Sequence, residues 1–371
     1  MARGDENSEC KSNNPRRRSG GPTVGSIENF MSAPITIWRF FDGRAGHRSQ
    51  ILGLSEAIGR RCPVICHDIP ITDRIRGLKS LLPGRLRSFD ALPSPVLLIG
   101  AGHATHIPLL AARRRFGGRI IVLMKPSLPL WMFDACLIPA ADDLRRIPAS
   151  VIVTEGALNR VRPSAILDPR RGLILIGGPS DHFGWSDEGV LSQVAAVIDG
   201  SPEIEWTLTT SRRTPPSFLE RWSSTGLRGQ MIPVDQTSPD WLPAKLQTAG
   251  TVWVSNESVS MICEALTSGA AVGIVHLDKA RNSRVTRGID SMMSRSLVTS
   301  FERWTQTVHL SRSSTILDEA SRCAELIIER LLPASTVDQP LRRLEFSGRS
   351  VTIKTLSART EIPADGAAGQ Q

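Results

Sequence analysis

Short β-branched or apolar runs alternate with helix-length amphipathic stretches along most of the chain, and this alternation limits the possible folds more than any other feature of the sequence. One series of runs begins at Ile35, and a second begins afresh at Gly172. We therefore predict an α/β protein of two Rossmann-like domains with a cleft between them. The length of 371 residues agrees, because a single hydrophobic core stops growing at roughly 250–300 residues.

The pattern also predicts where the elements and domains lie. Strands are predicted near 35–41, 64–69, 95–100, 119–124, 135–138 and 150–153, and then near 172–177, 204–209, 229–233, 251–255 and 271–276. Helices are predicted near 46–60, 104–116, 187–199, 215–224, 241–248, 257–268 and 314–331. We expect a disordered N-terminal extension (1–33), an N-terminal domain (34–165), a C-terminal domain (171–332) and a partly disordered C-terminal segment (333–371). The polar, proline-containing stretch Pro163–Arg171 is the predicted linker.

Composition narrows the class of partner. The net charge of +9 is carried mainly by arginine and attracts phosphate groups, but no nucleic-acid-binding motif is found, so we expect no nucleic acid partner. The six cysteines are scattered and no secretory signal precedes them, which favours a reducing cytoplasm. Cys62 and Cys66 form a close pair without further ligands, so no metal site is expected. No apolar run reaches the length of a membrane-spanning helix.

Two glycine- and histidine-containing turns follow strands of the first series. Asp42, Gly43, Gly46 and His47 lie between the first strand and a helix, where free backbone N–H groups bind anions. Gly102 and His103 follow the third strand, and parallel strands bring both turns to one edge. An imidazole there can act as a general base or bind a phosphate group of the substrate. The alternatives are a tight turn capped by Asp42 and hydrogen-bonded structural histidines. The spacing differs from the dinucleotide fingerprint, so NAD is not indicated and no cofactor is expected.

The second series carries two further turns. Gly177 and Gly178 end a buried strand and either clear space for a ligand or simply end the strand. Ser211, Arg212 and Arg213 precede Thr214 and Pro215, which we predict to be the N-cap and the first residue of a helix. Paired arginines at a helix start suit a diphosphate, and solvated surface arginines are the alternative.

One helix of the second series carries several polar side chains near its start. Ser255 or Asn256 is the predicted cap, and Glu264 lies two turns in among apolar neighbours, where a carboxylate requires a partner. A surface glutamate is the alternative interpretation. The candidate ligand-binding residues of this segment are Asn256, Glu257, Ser258, Ser260, Met261 and Glu264.

Taken together, these motifs resemble the mitochondrial fission ELM1 family over about residues 35 to 330. The matching segments are Asp42-Gly43 with Gly46-His47 and Gln50, Phe133-Asp134 followed by Pro139, the run from Thr154 to Val161, the run from Ile176 to Ser180, the run from Ser211 to Pro215, and Ser258-Val259-Ser260-Met261 with Glu264-Ala265. The family often has Asp where this chain has Glu257, and a His-Asp pair where it has Asp142-Asp143. The resemblance implies a GT-B-like fold, similar to the transferase that adds N-acetylglucosamine to lipid II.

The resulting hypothesis is a metal-independent, inverting glycosyltransferase. Its C-terminal domain would hold a nucleotide-sugar donor, with Arg212, Arg213 and the helix start near Glu257 neutralising the diphosphate and Glu264 binding the ribose. Asp42 or His47 of the N-terminal, acceptor domain would deprotonate the acceptor hydroxyl.

Five basic residues interleaved with leucines in the stretch 73–87 favour a lipid-linked acceptor and peripheral binding to the cytoplasmic face of the inner membrane. A solvated basic helix packed by its leucines is the alternative. For the protein as a whole, the alternative function is a non-catalytic adaptor that recruits a partner protein. A nucleotide-sugar epimerase is a further option, disfavoured by the missing NAD fingerprint.

Overall fold

The computed structural model describes residues 34–82 and 84–332 in full, together with the backbone of 342–347 and 350–355. The predicted disordered extension 1–33 and most of the segment 333–371 lie outside the described residues. Within that segment, Arg342–Ser347 and Ser350–Thr355 pair as two antiparallel strands.

The first half of the chain forms a six-stranded, all-parallel sheet in the order β2-β1-β3-β4-β5-β6. Its strands are β1 (Ile35–Phe41), β2 (Val64–Pro70), β3 (Leu97–Ala101), β4 (Arg119–Leu123), β5 (Ala135–Pro139) and β6 (Val151–Thr154). Helix α1 (Ala45–Gly59) follows β1, and helix α2 (His103–Phe116) follows β3. Because side chains alternate along a strand, Ile37 packs on the face covered by α1 while its neighbour Trp38 packs on the face covered by α2.

The second half forms another six-stranded parallel sheet, in the order β12-β11-β10-β7-β8-β9. Its strands are β7 (Asp168–Leu175), β8 (Glu205–Thr209), β9 (Gln230–Ile232), β10 (Ala249–Ser255), β11 (Ala271–Val275) and β12 (Thr299–Ser300). The remaining helices are α3 (Asp187–Asp199), α4 (Pro216–Thr225), α5 (Trp241–Leu246), α6 (Val259–Ser268), α7 (Arg284–Ser294), α8 (Phe301–Thr307) and α9 (Glu319–Leu331). The predicted pair of Rossmann-like domains is confirmed.

The structure differs from the sequence-based elements at several points. Strand β7 begins at Asp168, inside the predicted linker, because Asp168 pairs with Ala249 and Arg171 with Glu205. Helices α7 and α8 were not predicted. Helix α7 has few apolar residues, and what marks its start is a capping box between Ser283 and Thr286.

Helix α9 packs against the first sheet, although the predicted boundaries place it in the second domain. Its buried residues Cys323, Ala324 and Ile327 join the core formed by α1 and one face of the first sheet. An amphipathic helix needs an apolar surface to cover, and α1 with this sheet provides it. The chain therefore returns to the first domain before Leu332.

A close contact joins α1 to the segment that leaves the first domain. A side chain at Gly53 would come within 2.1 Å of the Asn159 carbonyl oxygen, so only glycine allows this approach. Asn159 is buried, and its amide donates to the Thr267 hydroxyl of α6 at 3.0 Å. The two domains are thus joined through α1, Asn159 and α6. Among the described residues, no helix is both long enough and apolar enough to cross a membrane.

Candidate functional site

The first candidate site lies at the carboxyl end of β1. Asp42 follows the strand, and its Oδ2 lies 2.8 Å from Nδ1 of His47 in the first turn of α1. The Asp42 side chain is 7% exposed and that of His47 is 15% exposed. The other Asp42 oxygen accepts a hydrogen bond from the Arg44 backbone, so Asp42 braces the turn although it does not cap the helix. A carboxylate that holds Nδ1 leaves Nε2 of the imidazole to exchange a proton.

Both predicted glycine turns meet at this pair. Gly102 has a φ of +81°, and a side chain there would come within 2.5 Å of the His47 ring, so the β3 turn lies against the imidazole. At Gly43, with a φ of +88°, and at Gly46, a side chain would meet no other atom within 4 Å, so both glycines border open space. The structure therefore brings Asp42, His47 and Gly102 together beside room for a ligand.

The two histidines of helix α2 differ in environment. His103 is exposed at the start of the helix. His106 is buried against Phe133, and its Nδ1 lies 3.2 Å from the Ser127 hydroxyl. Burial lowers the pKa of His106 to about 4, so this imidazole is neutral at physiological pH and belongs to the packing of the domain.

A second cluster forms where β7 and β8 end. The fully buried carboxylate of Glu257 accepts a hydrogen bond from the Gly178 backbone at 3.0 Å and lies 3.4 Å from the Arg213 guanidinium. A side chain at Gly177 would collide with Glu257, and one at Gly178 would collide with the backbone of Arg213. The two glycines thus leave space for Glu257 and for the backbone of Arg213. The anionic group bound at this turn is the Glu257 carboxylate.

Burial raises the pKa of Glu257, while its hydrogen bonds and Arg213 oppose the rise. Its Oε2 is buried and has no hydrogen-bond partner among the described residues. Arg213, 46% exposed, also donates to the Pro179 carbonyl at 3.3 Å. It therefore links this buried carboxylate to the solvent side of the turn.

The β8 turn is held by hydroxyl groups. The Thr214 hydroxyl accepts from the Ser211 backbone and donates to carbonyls of the β7 end, including that of Ile176 at 3.2 Å. The cap of α4 is Pro215, one residue later than predicted, because Thr214 is engaged in this turn. Arg212 is exposed beside it.

The segment before α6 uses its side chains differently from the prediction. Neither predicted cap residue caps helix α6, because the Ser255 hydroxyl accepts from the Gly177 backbone and the Asn256 amide makes two 3.0 Å hydrogen bonds with the backbone of Leu277. Ser258 occupies the N-cap position, and its side chain makes no capping hydrogen bond. Ser258 is buried and Ser260 is exposed. A further predicted residue, Met261, packs on the core of the second domain.

Glu264 lies at the contact between the domains. Its carboxylate accepts a hydrogen bond from the Ser49 hydroxyl of α1 at 3.3 Å. Burial raises its pKa to about 7, and the Ser49 hydrogen bond opposes this rise. The predicted need for a partner is therefore met by Ser49 in this structure, two residues along α1 from His47.

A cavity of about 210 Å³ opens between the domains. Gln50 of α1 and Val259 at the start of α6 line it, as does Asp142 after β5. Asp142 pairs with Arg284 of α7 at 3.0 Å across the cleft. The sequence pattern assigned no role to Arg284, because its helix was not predicted. Among the described residues, no group of three or more His, Cys, Asp or Glu side chains is placed to hold a metal ion.

Two parallel sheets with a cleft between them at their carboxyl edges define a GT-B-like protein of two Rossmann-like domains. A family model described as "Mitochondrial fission ELM1" matches residues 45–331. The chain belongs to this family.

The chain is similar in sequence to one known protein and in structure to others. An uncharacterized protein of Rickettsia prowazekii, RP120, is 21% identical, and the match spans 79% of this chain and 98% of the relative. A putative UDP-N-acetylglucosamine 2-epimerase from Listeria monocytogenes superimposes with a TM-score of 0.52 at 13% identity, covering 83% of this chain and all of that one. The UDP-GlcNAc 2-epimerase from Methanocaldococcus jannaschii gives a TM-score of 0.50 at 10% identity, covering 80% of this chain and all of that one. At these identities, the two structures establish the fold alone.

The raised pKa of Glu264 predicts a pH-dependent stability difference for Glu264→Gln. The folded protein holds the Glu264 proton up to about pH 7, whereas the ordinary value is 4.5. Between these values the folded state binds more protons, so this group's contribution to stability falls as pH rises and is constant above about 7. Glutamine cannot ionise, and its amide oxygen can still accept from Ser49.

We therefore expect the melting temperature of Glu264→Gln, relative to the natural chain, to rise between pH 4.5 and 7.5 and then level off. Differential scanning calorimetry at several pH values measures this difference. Glu329→Gln, on the exposed surface of α9, is the matched control and should show no such trend. A difference for Glu264→Gln that does not change with pH would contradict the assignment.

Proposed function

We propose that this ELM1-family protein is a metal-independent, inverting glycosyltransferase that takes a nucleotide-sugar donor. The observation that carries the proposal is the Asp42–His47 pair, held at 2.8 Å beside two open glycines at the carboxyl edge of the first sheet. An oriented imidazole next to open space is what deprotonation of an acceptor hydroxyl requires. Direct attack of that hydroxyl on the sugar inverts the anomeric centre.

The second domain supplies groups suited to the donor. Arg213 and the start of α6 provide positive charge and free backbone N–H groups for a diphosphate, and Arg212 adds a second guanidinium. The solved structures with this fold include a putative UDP-N-acetylglucosamine 2-epimerase and a UDP-GlcNAc 2-epimerase, which supports a nucleotide sugar as the ligand class.

The ribose is assigned to Glu264. In the structure this carboxylate accepts from the Ser49 hydroxyl, and a ribose hydroxyl donates in the same way. Donor binding would then replace or join Ser49 as the partner of Glu264. Because Ser49 and His47 lie on the same helix, such an exchange would place the donor next to the proposed base.

Binding of nucleotides tests this proposal. We expect one member of a panel of UDP, GDP, CMP and their sugars to raise the melting temperature, because a ligand of the folded state alone must stabilise it. Arg213→Ala should lower the affinity for that ligand about tenfold or more, since a charge-assisted hydrogen bond contributes about 1.5–3 kcal/mol. Arg212→Ala should weaken nucleotide binding less, because only Arg213 is also held in place by a contact with Glu257.

Arg303→Ala is the matched control, because Arg303 is exposed on α8 in the same domain. The melting temperature of each variant without ligand shows whether it is folded. If no member of the panel shifts the melting temperature of the natural chain, the transferase proposal fails and the non-catalytic adaptor is favoured.

A lipid-linked acceptor at the membrane surface is the second part of the proposal. Leu78 is 72% exposed, and Leu81 and Leu82 are about half exposed, while Ile75 and Leu86 of the same stretch are buried anchors. The basic residues Arg74, Arg76, Lys79, Arg85 and Arg87 accompany the exposed leucines. Exposed leucines among basic groups suit an anionic bilayer surface.

Vesicle sedimentation tests the membrane part. We expect the chain to bind vesicles of phosphatidylglycerol and phosphatidylcholine, and to bind pure phosphatidylcholine much more weakly, with added salt reducing the difference. Leu78→Ser combined with Leu81→Ser should weaken binding to the anionic vesicles, because apolar area buried in the bilayer is lost. Ile166→Ser is the control, because Ile166 is 72% exposed and lies just before β7, outside the stretch 73–87. Equal and negligible binding to both vesicle types at low salt would remove this part of the proposal.

A further inference from the structure

A second and larger cavity adjoins the cleft. It has a volume of about 700 Å³ and lies between the ends of β5 and β6 on one side and helices α7 and α9 on the other. Its lining includes the guanidinium groups of Arg287, Arg295 and Arg322. Neither the sequence-based site nor the proposed donor site includes any of these three arginines.

The arginines of α7 are arranged along one face of the helix. Arg284, Arg287, Ser291 and Arg295 are spaced three and four residues apart, which places them in a row. Gly288, in the same row, would bring a side chain to 3.6 Å from Ala141, so the helix approaches the end of β5 closely at this point. The row therefore faces the carboxyl edge of the first sheet.

Two of the three arginines in the row form ion pairs with the first domain, and the third does not. Arg284 pairs with Asp142 at 3.0 Å, and Arg295 pairs with Glu155 at 2.6 Å. Arg287, between them, is exposed, and among the described residues it makes no ion pair or side-chain hydrogen bond. Opposite it, Arg322 is held by the buried carboxylate of Glu319 at 2.6 Å. The cavity lining thus includes one arginine without an ion-pair partner among the described residues, at a position between two paired arginines.

The rest of the lining is largely apolar. Met292 and Leu317 are buried side chains at the cavity wall, Ile316 is half exposed there, and Ala140 and Ala141 complete it. A wall of this kind favours a ligand with an apolar portion. A cation that stands alone beside it favours an anionic group, and guanidinium binds phosphate oxygens through paired hydrogen bonds.

The larger cavity lies next to the cleft cavity of about 210 Å³. The two share the wall residues Ala140, Ala141, Glu155, Gly288 and Met292. The cleft cavity is also lined by Gln50, which lies one helical turn from His47 on α1. A ligand anchored at Arg287 would therefore lie against residues that also line the cleft cavity.

We infer that this cavity binds an amphiphilic phosphate or diphosphate ester, with its anionic group on Arg287 and its apolar portion against Met292 and Leu317. The site stands on its own lining residues. Its role as the acceptor site rests on the proposed function.

Calorimetric titration of the full chain with farnesyl diphosphate, below its micelle concentration, tests the inference. Farnesol supplies the apolar portion alone and pyrophosphate the anion alone. We expect farnesyl diphosphate to bind, and each partial ligand to bind about tenfold more weakly or worse. Arg287→Ala should lower the affinity for farnesyl diphosphate about tenfold, as expected for the loss of a charge-assisted contact. Arg287→Lys should recover part of the loss, and the control Arg303→Ala should bind as the natural chain does.

Three results would overturn the inference: no binding of farnesyl diphosphate to the natural chain, equal binding by Arg287→Ala, or equal binding of either partial ligand. The nucleotide panel, repeated on Arg287→Ala, separates this inference from the proposed function. Nucleotide binding should persist in Arg287→Ala, and farnesyl diphosphate binding should persist in Arg213→Ala. A chain that binds farnesyl diphosphate through Arg287 but binds no nucleotide would keep this site and refute the donor site.

Discussion

The contact between α1 and the segment around Asn159 is the constraint on which the arrangement of the domains depends. Gly53 lets the Asn159 carbonyl approach the helix, and the Asn159 amide reaches Thr267 of α6. On the same side, the Ala157 backbone donates to the buried Cys263 sulfur at 3.3 Å. Because buried polar groups need their hydrogen bonds, these contacts fix α6 of the second domain against α1 of the first.

That junction brings the starts of two helices to one cleft. Helix α1 begins at the Asp42–His47 pair, and α6 begins two residues after Glu257. With the bodies of the two helices joined through Ser49 and Glu264, their starts lie at the same cleft. The ion pairs Asp142–Arg284 and Glu155–Arg295 then span the opposite side of the cleft. The side chains of Glu155 and Arg295 are both exposed by more than 40%, and an ion pair at a surface contributes little stability, so this pair can break as a ligand enters. The Asp142 side chain is only 6% exposed, so breaking its pair with Arg284 would leave a buried carboxylate without its partner.

Much of the fold was predictable because the spacing of apolar residues along the sequence shows which side chains are buried. The buried strands β1, β3 and β10 are rich in apolar residues, and each lies within about two residues of its predicted position. Helix α7 escaped prediction because most of its residues are polar, although its few apolar residues, among them Ile289 and Met292, join the core of the second domain. The return of α9 to the first domain was also unpredictable, since an apolar face in the sequence does not say which sheet it covers.

The candidate site was predictable only in part. The position of Asp42 and His47 on either side of a strand-to-helix turn placed them close together before the structure did so. The partners of Glu257 and Asn256 depend on loops that meet through folding, and local sequence carries no signal for them. For the same reason Arg287 drew no notice, because its unpaired state is a property of the assembled cleft.

The central claim is that the Asp42–His47 pair performs proton transfer in a cleft that holds a nucleotide sugar. The most direct test is release of the free nucleotide from whichever nucleotide sugar binds, compared between the natural chain, His47→Ala and Asp42→Asn. We predict that both variants keep their affinity for the nucleotide sugar and lose turnover, by about 100- to 10,000-fold for His47→Ala. Turnover that is unchanged in His47→Ala, or absent from the natural chain with every acceptor supplied, would contradict the claim.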